Sequence, residues 1–350
     1  MTRSLFKVNI LCLLFVFTCI KLQAQDHIQF KNYTITEGLS QSTVSSIIQD
    51  RLGSLWIGTQ DGINRFNGKS FEVYSADKGY DISNEYINTA FKDRKGNLWF
   101  GTNNGLVKHN ILMEKFSSFQ LKGDKHLDIL SIDEDSDGSL WLGTSYGDIF
   151  KFDVKDNTFN LVDNGVFQSK IIDLKWLNNQ LVIVSEFEGV LITDKYFNNR
   201  NKIKPSHFEK EGFIINGLIT SPHYDISITT SEGVFYFSDE TNTFQPYDGI
   251  LSVLKGINIK DVVFLSDNRL LAASDHDGLF QVYTDNNDSI VVLNYLSDIF
   301  QKGSLISNKL NGLFKDNQGN IWITSERGLS SFNPKHIGFK GVGISNNRSN

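Results

Sequence analysis

Apolar and polar positions alternate with a period of two through most of this chain, in short runs broken by Asp and Gly. The clearest stretch is Val44-Ser45-Ser46-Ile47-Ile48-Gln49-Asp50, which turns through Gly53 into Leu55-Trp56-Ile57-Gly58-Thr59. A second turn at Asp61-Gly62 leads to an apolar run at 63–66, and an aromatic run follows at 71–74. Such alternation, punctuated in this way, predicts a meander of four antiparallel strands. Asp-x-x-Gly supplies a side-chain-capped turn and a residue that tolerates positive φ.

The unit repeats. Leu98-Trp99-Phe100-Gly101-Thr102 and Leu140-Trp141-Leu142-Gly143-Thr144 follow, with tryptophans 43 and 42 residues apart, and Ile321-Trp322-Ile323-Thr324-Ser325 lies near the C-terminus. A fixed period of roughly 40–45 residues is that of a four-stranded β-propeller blade. Weaker copies fill the middle, giving a column at 56, 99, 141, 182, 227, 271 and 322. Seven such units predict an all-β, seven-bladed β-propeller of four-stranded antiparallel blades. The last unit ends at its third strand, Gly328 to Phe332, whereas residues 28–34 form a lone strand ahead of the first unit. That N-terminal strand is expected to complete the last blade and close the ring, which removes the exposed edge.

The expected domains are a signal peptide at 1–24, the propeller at 25–338 and a tail at 339–350 that reads as the truncated start of a further repeat. Arg3 and Lys7 precede an apolar run from Val8 to Ile20, and Ala24 offers a small residue for cleavage. The run is shorter than the ~20 residues that span a bilayer. Both cysteines, Cys12 and Cys19, lie within it, so the mature chain is expected to have no disulfide and no thiolate chemistry. Residues 1–24 carry three basic and no acidic side chains, and their loss moves the net charge from −6 to −9. An acidic surface argues against nucleic acid and anionic lipid as partners. No later stretch reads as membrane-inserting.

The residues also resemble a known repeat, the two-component regulator propeller of exported Bacteroidota-type hybrid histidine kinases. The likeness lies in Gly38-Leu39-Ser40, Ile48-Gln49-Asp50, Gly53, the Leu55 to Thr59 string, Asp61-Gly62-Ile63 and Arg65-Phe66. It recurs around Trp99 and Trp322. The resemblance implies an extracytoplasmic, periplasmic sensor part that recognises an oligosaccharide or other small polar ligand. It also implies a second propeller or sensor domain as neighbour and a kinase part beyond residue 350. Sensing rather than catalysis is therefore the expectation.

Candidate chemistry is weighed against that frame. Trp56, Trp99, Trp141 and Trp322 repeat at one strand position, with Gly58, Gly101 and Gly143 two residues on, and are expected to be structural core. Asp133-Glu134-Asp135-Ser136-Asp137-Gly138 has the look of a calcium loop, but Asp135 falls in the turn column of Asp50, Asp93 and Asp316. His207, His223, His276 and His336 are scattered without metal-ligand spacing, and no Gly-x-Ser-x-Gly turn occurs. No catalytic residue, metal or cofactor is expected. The loops between second and third strands vary most: Gln60-Asp61, Asn103-Asn104, Tyr146, Glu186-Phe187, Glu232, Asp275-His276 and Glu326-Arg327. They are expected to share one face near the central channel, where amides, carboxylates and two aromatics suit a neutral polyol. Two rival readings are a protein-binding scaffold and a propeller lyase or glycosidase, the latter using two carboxylates across the channel such as Asp61 and Glu186.

Overall fold

A computed structural model describes residues 28–121, 126–163, 165–198, 200–204 and 212–336. The chain divides into two compact units, one of Met1–Ile28 with Lys335–Asn350 and one of Gln29–Pro334. The expected signal peptide, the expected tail and His207 lie outside the described residues.

Within Gln29–Pro334, the strands form seven four-stranded antiparallel sheets. Blade 1 is Val44–Gln49, Leu55–Thr59, Ile63–Phe66 and Phe71–Tyr74, in that order across the sheet. The first strands of blades 2 to 7 are Ile87–Lys92, Ile129–Glu134, Ile171–Leu177, Ile215–Ile219, Ile259–Ser266 and Leu310–Lys315. First strands of successive blades adjoin all the way round, with Leu310–Lys315 meeting Val44–Gln49. The ring is therefore closed. Blade 7 takes its outer strand from the N-terminus: Lys31–Tyr33 pairs with Gly328–Phe332, Asn32 opposite Ser330. This is the closure expected from the phase of the ends, with a strand shorter than residues 28–34.

The core lies between blades. Second strands such as Leu55–Thr59, Leu98–Thr102 and Leu140–Thr144 are buried throughout, because both of their faces are covered by neighbouring blades. Trp56 packs with Leu98, Phe100, Val107 and Phe116 of blade 2. Trp141 packs with Leu181, Ile183, Leu191 and Phe197 of blade 4. Each tryptophan is also clasped within its own blade. The Trp56 indole N–H donates to Asp50 Oδ2 at 2.8 Å, while Asp50 Oδ1 accepts from the amides of Leu52 and Ser54. Asp93 with Trp99, Asp135 with Trp141 and Asp316 with Trp322 repeat the arrangement at 2.9, 3.1 and 2.9 Å. The turn aspartate and the core tryptophan are one device, six residues apart.

The glycine two residues after Trp56, Trp99 and Trp141 answers to the next blade. A Cβ on Gly58 would fall 2.5 Å from Ser46 Oγ and 2.6 Å from Ile87 Cγ2, and one on Gly101 would fall 2.7 Å from both Thr89 Cγ2 and Ile129 Cγ2. In blades 5 and 7 the small residue has changed strand: Gly217 faces Thr229 and Gly312 faces Thr324. One partner of this cross-strand pair is glycine in five blades, and Asp173 opposite Val184 and Asp261 opposite Ala273 are the two exceptions.

Candidate functional site: the loop face and its channel

Every first strand shifts register by one residue after its first pair, between Val44 and Ser46 in blade 1 and at the matching place in the other six. Such a bulge leaves one residue unpaired and re-aims its side chain. The bulged residues are Ser45, Asn88, Leu130, Ile172, Asn216, Lys260 and Asn311. Four of them reach the carbonyl that opens the next blade: Ser45 donates to Ile87 at 2.6 Å, Asn88 to Ile129 at 3.2 Å, Asn216 to Ile259 at 2.7 Å and Asn311 to Val44 at 2.9 Å. Sequence reading missed this set. Its only signal was a polar residue one place after the strand's opening Ile, Leu or Val.

Because Val44 pairs with Thr59, the loop after each second strand lies beside the start of its own first strand. Backbone bonds tie the two together. The amides of Asn103, Ser145, Glu186, Ser231 and Asp275 donate to the carbonyls of Tyr86, Asp128, Lys170, Ile214 and Asn258, each the residue just ahead of a first strand. The hydroxyl at the end of the second strand caps the same loop, as Thr59 Oγ1 does by accepting from Asp61 N. All seven loops therefore crown one end of the channel, as the repeat phase predicts.

The twelve residues expected at this face all lie in those loops. Asp61, Tyr146, Phe187, His276, Glu326 and Arg327 are exposed, with Tyr146 at 67% and Phe187 at 50%. Gln60, Asn103, Asn104, Glu186, Glu232 and Asp275 are half-buried. The structure brings Asp275 and His276 together, Oδ2 to Nδ1 at 3.0 Å. Others meet partners that the sequence did not single out: Gln60 with Tyr86 at 2.7 Å, Asn103 with Asn88 at 2.9 Å, Glu186 with Lys170 at 3.6 Å and Glu326 with Lys309 at 3.4 Å. At blades 5 and 6 a continuous network forms. Lys260 Nζ donates to Asn216 Oδ1 at 3.0 Å, Asn216 Nδ2 to Asn258 at 2.7 Å, and Asn258 Nδ2 to Asp275 at 3.3 Å.

Below this mouth the first strands line a cavity of about 440 Å³ that contains Asp133, Asp173, Lys175 and Asp261. These carboxylates stitch blades together. Asp133 accepts from Trp176 N at 2.5 Å, Asp173 from Leu218 N at 2.9 Å, and Asp261 from Leu313 N at 2.9 Å and Val262 N at 2.8 Å. Burial pushes all three above the ordinary carboxylate range, Asp261 to about 6, with Lys175 pulling in the opposite direction. The calcium-like string is spent on structure: Asp135 accepts from Asp137 N, Ser139 N, the Trp141 indole and Lys151 Nζ. Among the described residues, no three His, Cys, Asp or Glu side chains are arranged to hold a metal ion, and no helix is long and apolar enough to cross a membrane.

The sequence profile of the two-component regulator propeller matches residues 38–61, 81–104, 123–146 and 304–327, which enclose the four tryptophan strings. Four stretches of the chain therefore carry the two-component regulator propeller repeat. Over 63 residues, 18% of the chain, it is 49% identical to Histidine kinase P4 of Formosa agariphila. Among solved structures it resembles the extracellular domains of two proteins assigned as hybrid two-component systems in B. thetaiotaomicron. Both are 23% identical over 87% of the chain, with TM-scores of 0.72 and 0.71. The chain spans 5% of the kinase's length and 42% and 40% of the two extracellular domains. Virginiamycin B lyase of Staphylococcus aureus shares the fold, with a TM-score of 0.65, 11% identity, and 87% of this chain and 98% of the lyase covered.

Proposed function

We propose that this propeller is the extracytoplasmic ligand-sensing part of a two-component signal-transduction regulator, and that it recognises an oligosaccharide on its loop face. The observation that carries the reading is the regulator repeat itself, closed into a ring whose variable residues all crown one end of the channel. Amides and carboxylates there offer paired donors and acceptors to hydroxyl groups. Tyr146 and Phe187 offer exposed rings on which the apolar face of a pyranose can lie. Binding acts on signalling by favouring one arrangement of this propeller against a neighbouring sensor domain, which requires different affinities for the two arrangements. No catalytic role is assigned to this chain.

A panel of neutral oligosaccharides, scored by thermal shift on the full chain, tests the reading. A hit that weakens roughly fivefold with Tyr146→Ala or Phe187→Ala is expected, about 1 kcal/mol per ring. A panel without any shift defeats it, and release of a cleaved product would move the assignment to a lyase or glycosidase.

A further inference from the structure

The face opposite the loops carries a second concavity, a cleft of about 830 Å³ between blades 4 and 5. Register explains its origin. Val182 pairs with Ile192 as Trp56 pairs with Arg65, so Val182 stands in the tryptophan column. In blade 1, Trp56 lies 4.4 Å from the ring of His109, which pairs with Leu98 of blade 2. The equivalents in blade 5 are Phe237 and Ile226, joined by an amide-to-carbonyl bond of 2.9 Å. Val182, Ile192, Ile226 and Phe237 all line the cleft. It occupies the place an indole fills in the tryptophan blades.

Blade 5 refills that place: the hydroxyl of Tyr247 comes within 2.8 Å of the Ser227 Oγ. The cleft beside Val182 stays open under a rim of amides. Asn178 Nδ2 donates to Asp225 Oδ2 at 3.1 Å and Asn201 Nδ2 to Asn242 Oδ1 at 2.8 Å, each pair reaching from blade 4 to blade 5. Asp194 and Asp239 outnumber Arg200, whose Nη1 is held by Asp163 at 2.9 Å. Tyr224, stacked on Tyr236 at 3.8 Å, adds a ring that is 36% exposed.

We infer that this cleft is a second binding site, for a neutral saccharide of one or two rings. Its volume falls within the range of ~300–1,000 Å³ usual for small-molecule sites. Leu177, Phe237 and Tyr224, the partly exposed apolar side chains of the lining, suit the C–H face of a pyranose, and the amide rim gives each hydroxyl both a donor and an acceptor. The surplus of carboxylates disfavours phosphorylated, sulfated or uronic sugars.

The test uses the full chain with glucose, galactose, mannose, cellobiose and laminaribiose as probes and glucuronate as the anionic control. At saturation a bound probe raises Tm by about 3–5 °C. Val182→Trp puts an indole into the cleft, so it abolishes the shift. Asn201→Ala keeps the apolar lining and weakens binding several-fold, which preserves the test if the tryptophan variant fails to fold. Tyr146→Ala, on the opposite face, leaves this shift unchanged, so failure here is separable from failure of the loop-face reading. No shift with any neutral probe, or a shift indifferent to both cleft variants, overturns the site.

Discussion

Blades 1, 2, 3 and 7 and blades 4, 5 and 6 share one backbone plan and differ in what fills it. In the first group an aspartate and a tryptophan clasp each other, and the indole is pressed between blades. In the second group the tryptophan position holds Val182, Ser227 or Leu271, and each blade settles the space differently. The bulge, the antiparallel register and the inter-blade burial persist in all seven. The ring is therefore specified by strand pairing and by apolar faces meeting across blades, with the tryptophan clasp as one of several ways to complete it. Where the filling is incomplete, the fold acquires a cleft without losing closure.

The sharpest way to break this comparison is to place a valine in the same column of the cross-strand pair in each group. Gly101→Val forces a Cβ against Thr89 and Ile129 and is expected to cost about 3 kcal/mol or more, or to prevent folding. Thr229→Val, in the same column but opposite Gly217, costs about 1 kcal/mol, chiefly the lost bond to the Lys260 carbonyl at 3.1 Å. Urea unfolding of both variants measures the gap, and equal costs would contradict the exchange of small residues between strands.

Next comes truncation at the tryptophan column. Trp56→Ala should cost about 3–5 kcal/mol, whereas Val182→Ala should cost about 2, since the valine already borders a cleft. Trp56→Phe separates packing from clasp. It keeps a ring but leaves Asp50 Oδ2 without its indole donor, for roughly 1–2 kcal/mol.

The last effects are pH-dependent and opposite in sign in the two regions. Burial pushes His109, beside Trp56, down to about 4 from 6.5, with Arg65 adding to the shift. The native state then disfavours the imidazolium, so stability relative to His109→Phe is full above 6.5 and is lost as the pH falls through about 4. Burial pushes Asp261 up to about 6 from 3.8. The native state favours its protonated form, so stability relative to Asp261→Asn is full below 3.8 and is lost as the pH rises through about 6. The Asp261 span is of order 2–3 kcal/mol, read as the change in the wild-type-to-variant gap between about pH 4 and pH 8. Parallel pH curves for wild type and either variant would dismiss the corresponding shift.

Much of the fold was legible because repetition converts weak local signals into a strong one. The Trp56 string with its Asp-x-x-Gly turn marks two strands, and its recurrence near Trp99, Trp141 and Trp322 marks the blade. Even Ser227, which has no resemblance to tryptophan, fell into the right column through spacing, and pairing with Tyr236 places it there. The loop-face residues were legible for the same reason, as the variable part of a constant frame. The channel carboxylates were not, because Asp173 and Asp261 sit inside apolar strands and look like isolated exceptions. Their partners are the Leu218 and Leu313 amides one blade away.

The sequence by itself determined the period, the number of blades, the turn role of the aspartate, the core role of the strand tryptophan, and the closing of blade 7 by a strand from the N-terminus. Those are properties of local alternation and spacing, which a linear pattern records directly. Only the tertiary structure decided that Ser45, Asn88, Asn216 and Asn311 clamp successive blades, and that Gly101 is fixed by Ile129 of the next one. It also decided that a cleft opens beside Val182. Each of these depends on atoms from two blades meeting in one place, and the distance between such atoms is set by ring closure rather than by their separation along the chain.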